Sequence, residues 1–147
     1  MPQLERDYIK TGKVRYGLRD LPLETIHRLA FKTAEATHCA GEQGKYWEAH
    51  DRFFANQGTL ARKDLTAHAQ ALGLDVSAFD QCLDSGRHAE RVRKDLGDAQ
   101  KNGVTSTPSF LMGLTDPTGS QLRVVRRLRG AQPYEAFKEA IDSLLSR

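Results

Sequence analysis

Long apolar runs are missing from this chain. No stretch approaches the roughly 18 consecutive apolar residues of a membrane helix, so no membrane span is expected. A strong charge bias is missing as well. Lys and Arg number 22 against 19 Asp and Glu, and the excess of +3 is scattered, which argues against a nucleic-acid partner. There is no Gly-rich phosphate loop, no Gly-x-Ser-x-Gly elbow, no HxxxH and no CxxC. Cysteine is scarce: Cys39 and Cys82 lie far apart, in neither redox-motif nor zinc-finger spacing. His38 precedes Cys39 directly, but adjacent helical residues do not face one another, so an activated thiol is not expected there. A metal needs three or four converging ligands, and nothing supplies the second pair, so neither metal nor cofactor is expected.

What is present suits one globular domain. The 147 residues suffice for a real core, and the 39% hydrophobic and 28% charged fractions are ordinary for a folded soluble protein. Two buried thiols are one reading of the cysteines, because free Cys packs as a small hydrophobe. A bridge is the other, and closing that loop would contribute about 3–4 kcal/mol.

Along the chain, Gln3–Thr11 reads as the end of a helix stopped by Gly12. Val14–Leu21 alternates apolar and polar residues and reads as a strand, stopped by Pro22. From Glu24 to Asn102 the pattern is helical. Ile26, Leu29, Ala30 and Ala34 form a first stripe, and Trp47, His50, Phe53 and Phe54 a second. Lys63–Leu72 runs to Gly73. Asp75 caps a helix that Gly86 closes, with Val76, Phe79 and Leu83 inward. Arg87–Asn102 follows, with Val92, Leu96 and Ala99 on its buried side. Two strands, Ser109–Leu114 and Leu122–Arg129, flank the turn signal Asp116-Pro117-Thr118-Gly119 and imply an antiparallel hairpin. Pro133 then opens a last helix with Phe137, Ile141 and Leu144 inward. Arg123, Arg126, Arg127 and Arg129 read as a basic edge that discourages sheet-to-sheet pairing rather than as an anion site.

The stretch Gly103-Val-Thr-Ser-Thr-Pro-Ser-Phe110 organises this pattern. Pro108 lacks an N–H and so opens a strand, an edge or a bulge. Taken alone, these residues favour an ordinary trans bond. A cis Thr107–Pro108 bond is the sharper reading and would turn the backbone of Ser106 and Thr107 outward, toward another extended chain.

Three stretches together resemble the DsbA-like branch of the thioredoxin superfamily. They are Arg15-Tyr-Gly-Leu-Arg-Asp-Leu-Pro-Leu23, His38-Cys-Ala-Gly-Glu-Gln-Gly-Lys-Tyr-Trp-Glu-Ala-His-Asp51 and Gly103–Phe110, with Arg129-Gly-Ala-Gln-Pro-Tyr134 fitting beside them. The resemblance implies a thioredoxin-like α/β fold. A partial core at 1–23 and 104–147 would carry an inserted helical block at 24–103. It also implies a cis proline at Pro108, facing the family's CxxC and positioning a polypeptide substrate with Ser106 and Thr107. That chemistry needs a low-pKa thiolate at a helix N-terminus, exchanging through a mixed disulfide.

The chain departs from that pattern. It begins inside the family's first core helix, so the first core strand and the CxxC fall outside it, and no catalytic residue is assigned. Cys39 and Cys82 map to the helical block, where some family members carry a second, structural disulfide. The resemblance thus makes these two residues a candidate structural bridge. The activity it implies is protein-disulfide oxidoreduction, inactive in the chain as written. The alternative is a redox-inert peptide-binding or dimerisation module, with the isomerase and glutathione-transferase side of the superfamily well behind. The expected partners are a polypeptide thiol or disulfide substrate, or a redox partner protein. A second copy is also expected, filling the gap beside the Val14 and Ser109 strands. The polar first residues make no signal peptide, which places the chain as written in the cytoplasm. A start further upstream would place it in the cell envelope or periplasm.

Overall fold

The computed structural model describes residues 2–116, 118–119 and 121–146. The chain divides into two compact units, one of Met1–Arg19 with Val104–Arg147 and one of Asp20–Gly103.

The second unit is helical. Helices α2 (Ala30–Glu42), α3 (Tyr46–Ala55), α4 (Arg62–Ala71), α5 (Val76–Ser85) and α6 (Ala89–Lys101) follow one another through short turns. Helix α2 is the centre, packed on by the other four. Its buried face is made of small residues, Ala36, Cys39 and Ala40, so neighbouring helices come close and bring Phe53, Leu65, Phe79 and Leu83 onto it. Local signals fix the ends of α5. The Asp75 side chain accepts from the Ala78 N–H at 2.9 Å, and Gly86 takes the left-handed conformation that an L side chain resists. At the start of α4 the Asp64 side chain accepts from the Ala61 N–H.

The first unit is built on a hairpin. Strand β1 (Ser109–Thr115) pairs antiparallel with β2 (Leu122–Arg129), Ser109 opposite Arg129 and Thr115 opposite Leu122, with a bulge between Met112 and Gly113. A short helical segment, α1 (Pro2–Leu4) continuing as one π-helical stretch over Glu5–Ile9, and α7 (Tyr134–Leu145) complete the unit. Phe137 and Ile141, four apart on α7, meet Leu4 and Tyr8 and are backed by Phe110, Met112 and Leu128 from the hairpin. The rings of Phe110 and Phe137 cross edge to face, 4.7 Å between centroids.

The structure corrects several expectations. Val14–Leu21 forms no strand, and β1 and β2 are the only strands among the described residues. Alternation supplies a half-buried face, but a strand also needs a neighbouring strand to pair with, and among the described residues none pairs with this segment. The helix expected from Glu24 begins at Ala30, leaving Ile26 and Leu29 exposed on isolated turns. A turn of helix with no apolar face to bury gains too little to persist. On α3 the buried side is Ala49 and Phe53, whereas Trp47 and Phe54 point to solvent, Phe54 being 65% exposed. Pro133 sits at the N-cap position, one residue before α7, in extended backbone. Leu96 and Ala99 are only half-buried, and Asp95 takes the buried place beside Val92. Of the expected turn, Pro117 lies outside the described residues. No helix among them is long and apolar enough to cross a membrane.

Candidate functional site

Ser106, Thr107 and Pro108 lie together on an exposed loop that leads into β1. The Thr107–Pro108 peptide bond is cis. The loop is anchored on both sides of Thr107. The Ser106 carbonyl accepts from the Ser109 hydroxyl at 2.7 Å, and the Pro108 carbonyl accepts from the Gly130 N–H at 2.8 Å. Among the described residues, the backbone N–H and carbonyl of Thr107 have no protein partner. An exposed donor and acceptor on one residue, held by anchored neighbours, form a short template for a passing strand.

Beside this template lies a cavity of about 240 Å³, lined by Leu4, Pro108, Phe110, Gln132, Tyr134 and Phe137. Its walls are mostly apolar, so an extended chain bonded at Thr107 would have a place for one apolar side chain.

Paired carboxylates and phenols hold the cavity's helical side. The Tyr134 hydroxyl donates to Asp7 Oδ2 at 2.6 Å, and the Tyr8 hydroxyl donates to Asp142 Oδ1 at 2.7 Å. Asp7 is held at about 2, first by its hydrogen bonds from Arg6 and then by that from Tyr134. Tyr8 and Tyr134 are pushed up to about 12, each chiefly because its proton is shared with a carboxylate. The consequences have opposite signs. The contribution of Asp7 is complete above its unfolded value of about 3.9 and is lost as pH falls through about 2. That of the tyrosines is complete below about 10 and is lost as pH rises through about 12. Tyrosinate absorbance should therefore show two of the four tyrosines ionising only near pH 12, a step that Tyr8→Phe halves. Complete ionisation of all four near the ordinary value of about 10 would contradict this geometry.

Cys39 and Cys82 belong to the helical unit, where they form a disulfide with sulfurs 1.98 Å apart and Cα atoms 5.8 Å apart. Each is 1% exposed, one on α2 and one on α5, so the bridge ties two helices together inside the core. An incoming thiolate needs a line of approach to one sulfur, and burial removes it. A ring nitrogen of His88 lies within 4.8 Å of both sulfurs. Bridged sulfurs offer no thiolate, so the trio is not a metal site in this state. His88 is instead bonded to Glu42 at 2.8 Å.

Sequence reasoning missed a buried polar column beside the bridge. His38 Nε2 bonds Asp20 Oδ2 at 2.7 Å, and the Asp20 N–H donates to Asp95 Oδ2 at 3.1 Å. The His38 ring lies 5.3 Å from Tyr46 and 5.4 Å from His88. These groups tie the chain at Asp20 to α2 and α6, a structural task. The available signal was Asp95, a carboxylate on the apolar stripe of α6, which requires a buried partner.

The family described as Thioredoxin matches residues 1–143. Na(+)/H(+) antiporter NhaA 3 of Salinispora tropica is 40% identical over 142 residues, covering 97% of this chain and 20% of the antiporter. NhaA 1 of Salinispora arenicola is 36% identical over 130 residues, covering 88% of this chain and 18% of the antiporter. The chain thus spans about a fifth of the length of these relatives. The crystal structure of Wolbachia pipientis alpha-DsbA1 superimposes with a TM-score of 0.79 at 26% identity, over 99% of this chain and 75% of that one.

Proposed function

We propose a polypeptide-holding role for this chain, which belongs to the thioredoxin family and, within it, to the DsbA-like proteins. In this reading the protein serves protein-disulfide exchange by binding an extended substrate or redox partner along Ser106, Thr107 and Pro108. The Cys39–Cys82 bridge is structural and takes no part in exchange. The observation that carries the reading is the unpaired, exposed backbone of Thr107 beside an apolar cavity. Main-chain pairing tolerates many sequences, and a single pocket adds a preference for one apolar side chain. The chain contains no CxxC, so the exchanging thiols come from elsewhere in this account. A structural disulfide supports an oxidising setting, such as the cell envelope, as its place of work. The antiporter relatives, in which the matching stretch is a small part of a longer chain, support a module that serves a larger assembly.

Amide exchange tests the binding surface. Added unfolded polypeptide should slow exchange at the Thr107 N–H by up to about tenfold, the range of one net hydrogen bond. Residues 39 and 82 and their neighbours should be unaffected. Protection confined to the helical unit, or none at saturating polypeptide, would overturn the assignment.

The same reading includes a homodimer. Its support is that β1 has one strand neighbour among the described residues.

A further inference from the structure

We propose that, before the Cys39–Cys82 bridge closes, the two thiols and His88 form a binding site for one zinc ion. The site lies wholly in the helical unit and is independent of the polypeptide-binding reading.

Three places in the chain bring the donors together. Cys39 lies on α2 and Cys82 on α5, each 1% exposed. Gly86 ends α5 in the left-handed conformation, and the chain turns at once into α6, with His88 at the N-cap position. That turn carries the imidazole back to the sulfurs, so all three donor atoms lie within 4.8 Å of one another. No sequence spacing announces such a set, because its members come from separate elements.

The ring is held as metal-binding histidines are held. His88 Nε2 bonds Glu42 Oε1 at 2.8 Å, and the ring packs 5.4 Å from that of His38. A carboxylate that accepts from one ring nitrogen fixes the tautomer and leaves the other, here Nδ1, as the donor to a metal.

Charge and ligand type then select the ion. Two thiolates in a core are costly unless their charge is paired. A dication with two thiolates and a neutral imidazole sums to zero, whereas a monovalent ion would leave a net negative charge. Calcium and magnesium take oxygen ligands, but zinc takes this sulfur and nitrogen set. Zinc–sulfur bonds of about 2.3 Å put two thiolates about 3.7 Å apart, a separation compatible with Cα atoms 5.8 Å apart. The half-buried His88 leaves the fourth position within reach of solvent.

The two states exclude one another. Zinc entry sends the two thiol protons to solvent and changes no oxidation state. Bridging instead removes two electrons and both protons, and the thiolate ligands with them. Either cross-link ties α2 to α5.

The full chain is reduced in denaturant by excess dithiol, which leaves two thiols as it becomes a disulfide itself. With the dithiol removed, the chain is refolded without oxygen and titrated with Co²⁺, a spectroscopic stand-in for zinc. One equivalent should bind with a thiolate-to-cobalt charge-transfer band and tetrahedral visible bands, all removed by Zn²⁺. Glu42→Ala should weaken binding about tenfold, and His88→Ala more. The bridged wild type should show no such band. A reduced wild type without the band would overturn the proposal, and so would full affinity in His88→Ala. Should the reduced chain fail to regain its far-ultraviolet helical signal alone, zinc must restore it, and a chain that stays unfolded with zinc overturns the site. Should bridged His88→Ala lose that signal, Glu42→Ala decides, and unchanged affinity there refutes the role of His88.

Discussion

The Cys39→Ala/Cys82→Ala double variant should lose about 4 kcal/mol of unfolding free energy. The two residues are 43 positions apart, and closing a loop of that length removes about this much entropy from the unfolded chain. Domains of ordinary stability have only about 5–15 kcal/mol in total, so the loss is a large share. It should appear in urea unfolding followed by far-ultraviolet circular dichroism, as a lower midpoint for the helical unit. Tyr8 and Tyr134 report on the hairpin unit, and their late ionisation should be unchanged, because the bridge joins only α2 and α5. A loss under about 1 kcal/mol would mean that the packing of Ala36, Phe79 and Leu83 alone fixes the two helices. It would also leave the bridge without a structural reason to exist.

Gly113→Ala and Gly97→Ala should change stability in opposite directions. A Cβ at Gly113 would collide with the Arg123 carbonyl group and crowd the Val124 Cα, across the bulge in the hairpin. These are backbone atoms and cannot rotate away, so the strands must shift, at a cost of about 1–3 kcal/mol. Gly113→Val should be worse. At Gly97, within α6, an added Cβ would meet no neighbouring atom within 4 Å. There alanine removes backbone freedom from the unfolded chain and should stabilise by up to about 1 kcal/mol. Thermal or urea unfolding of the two variants beside the wild type checks both signs. Equal and small effects would show that β1 and β2 do not approach as closely as the bulge requires.

The sequence was most legible where local chemistry decides. Asp75 and Gly86 mark both ends of α5, and the hairpin strands begin and end within a residue of their expected bounds. Three short stretches pointed to the DsbA-like family, and the thioredoxin-like fold they implied is the fold of this chain, with a two-stranded antiparallel sheet among the described residues. Where tertiary partners decide, local pattern failed. Val14–Leu21 has the alternation of a strand but pairs with no strand among the described residues, and Ile26 and Leu29 have helical spacing but stay exposed. The site divides in the same way. Ser106, Thr107 and Pro108 drew notice through a proline and a family pattern. The freedom of the Thr107 backbone emerged only once the bonds of Ser109 and Gly130 to its neighbours were visible. The Asp20–His38–Asp95 column spans residues 18 and 75 positions apart, a separation that no periodicity links.

The division between a binding surface at Thr107 and an inert bridge between Cys39 and Cys82 is the central claim. A redox titration of the native protein tests it most directly, with thiols trapped and the products weighed intact. Because both sulfurs are buried, the pair should stay oxidised in buffers poised below about −300 mV, as structural disulfides do. Interconversion as a two-electron couple between about −120 and −270 mV, the range of working oxidoreductases, would contradict the account and make the bridge itself the reactive centre.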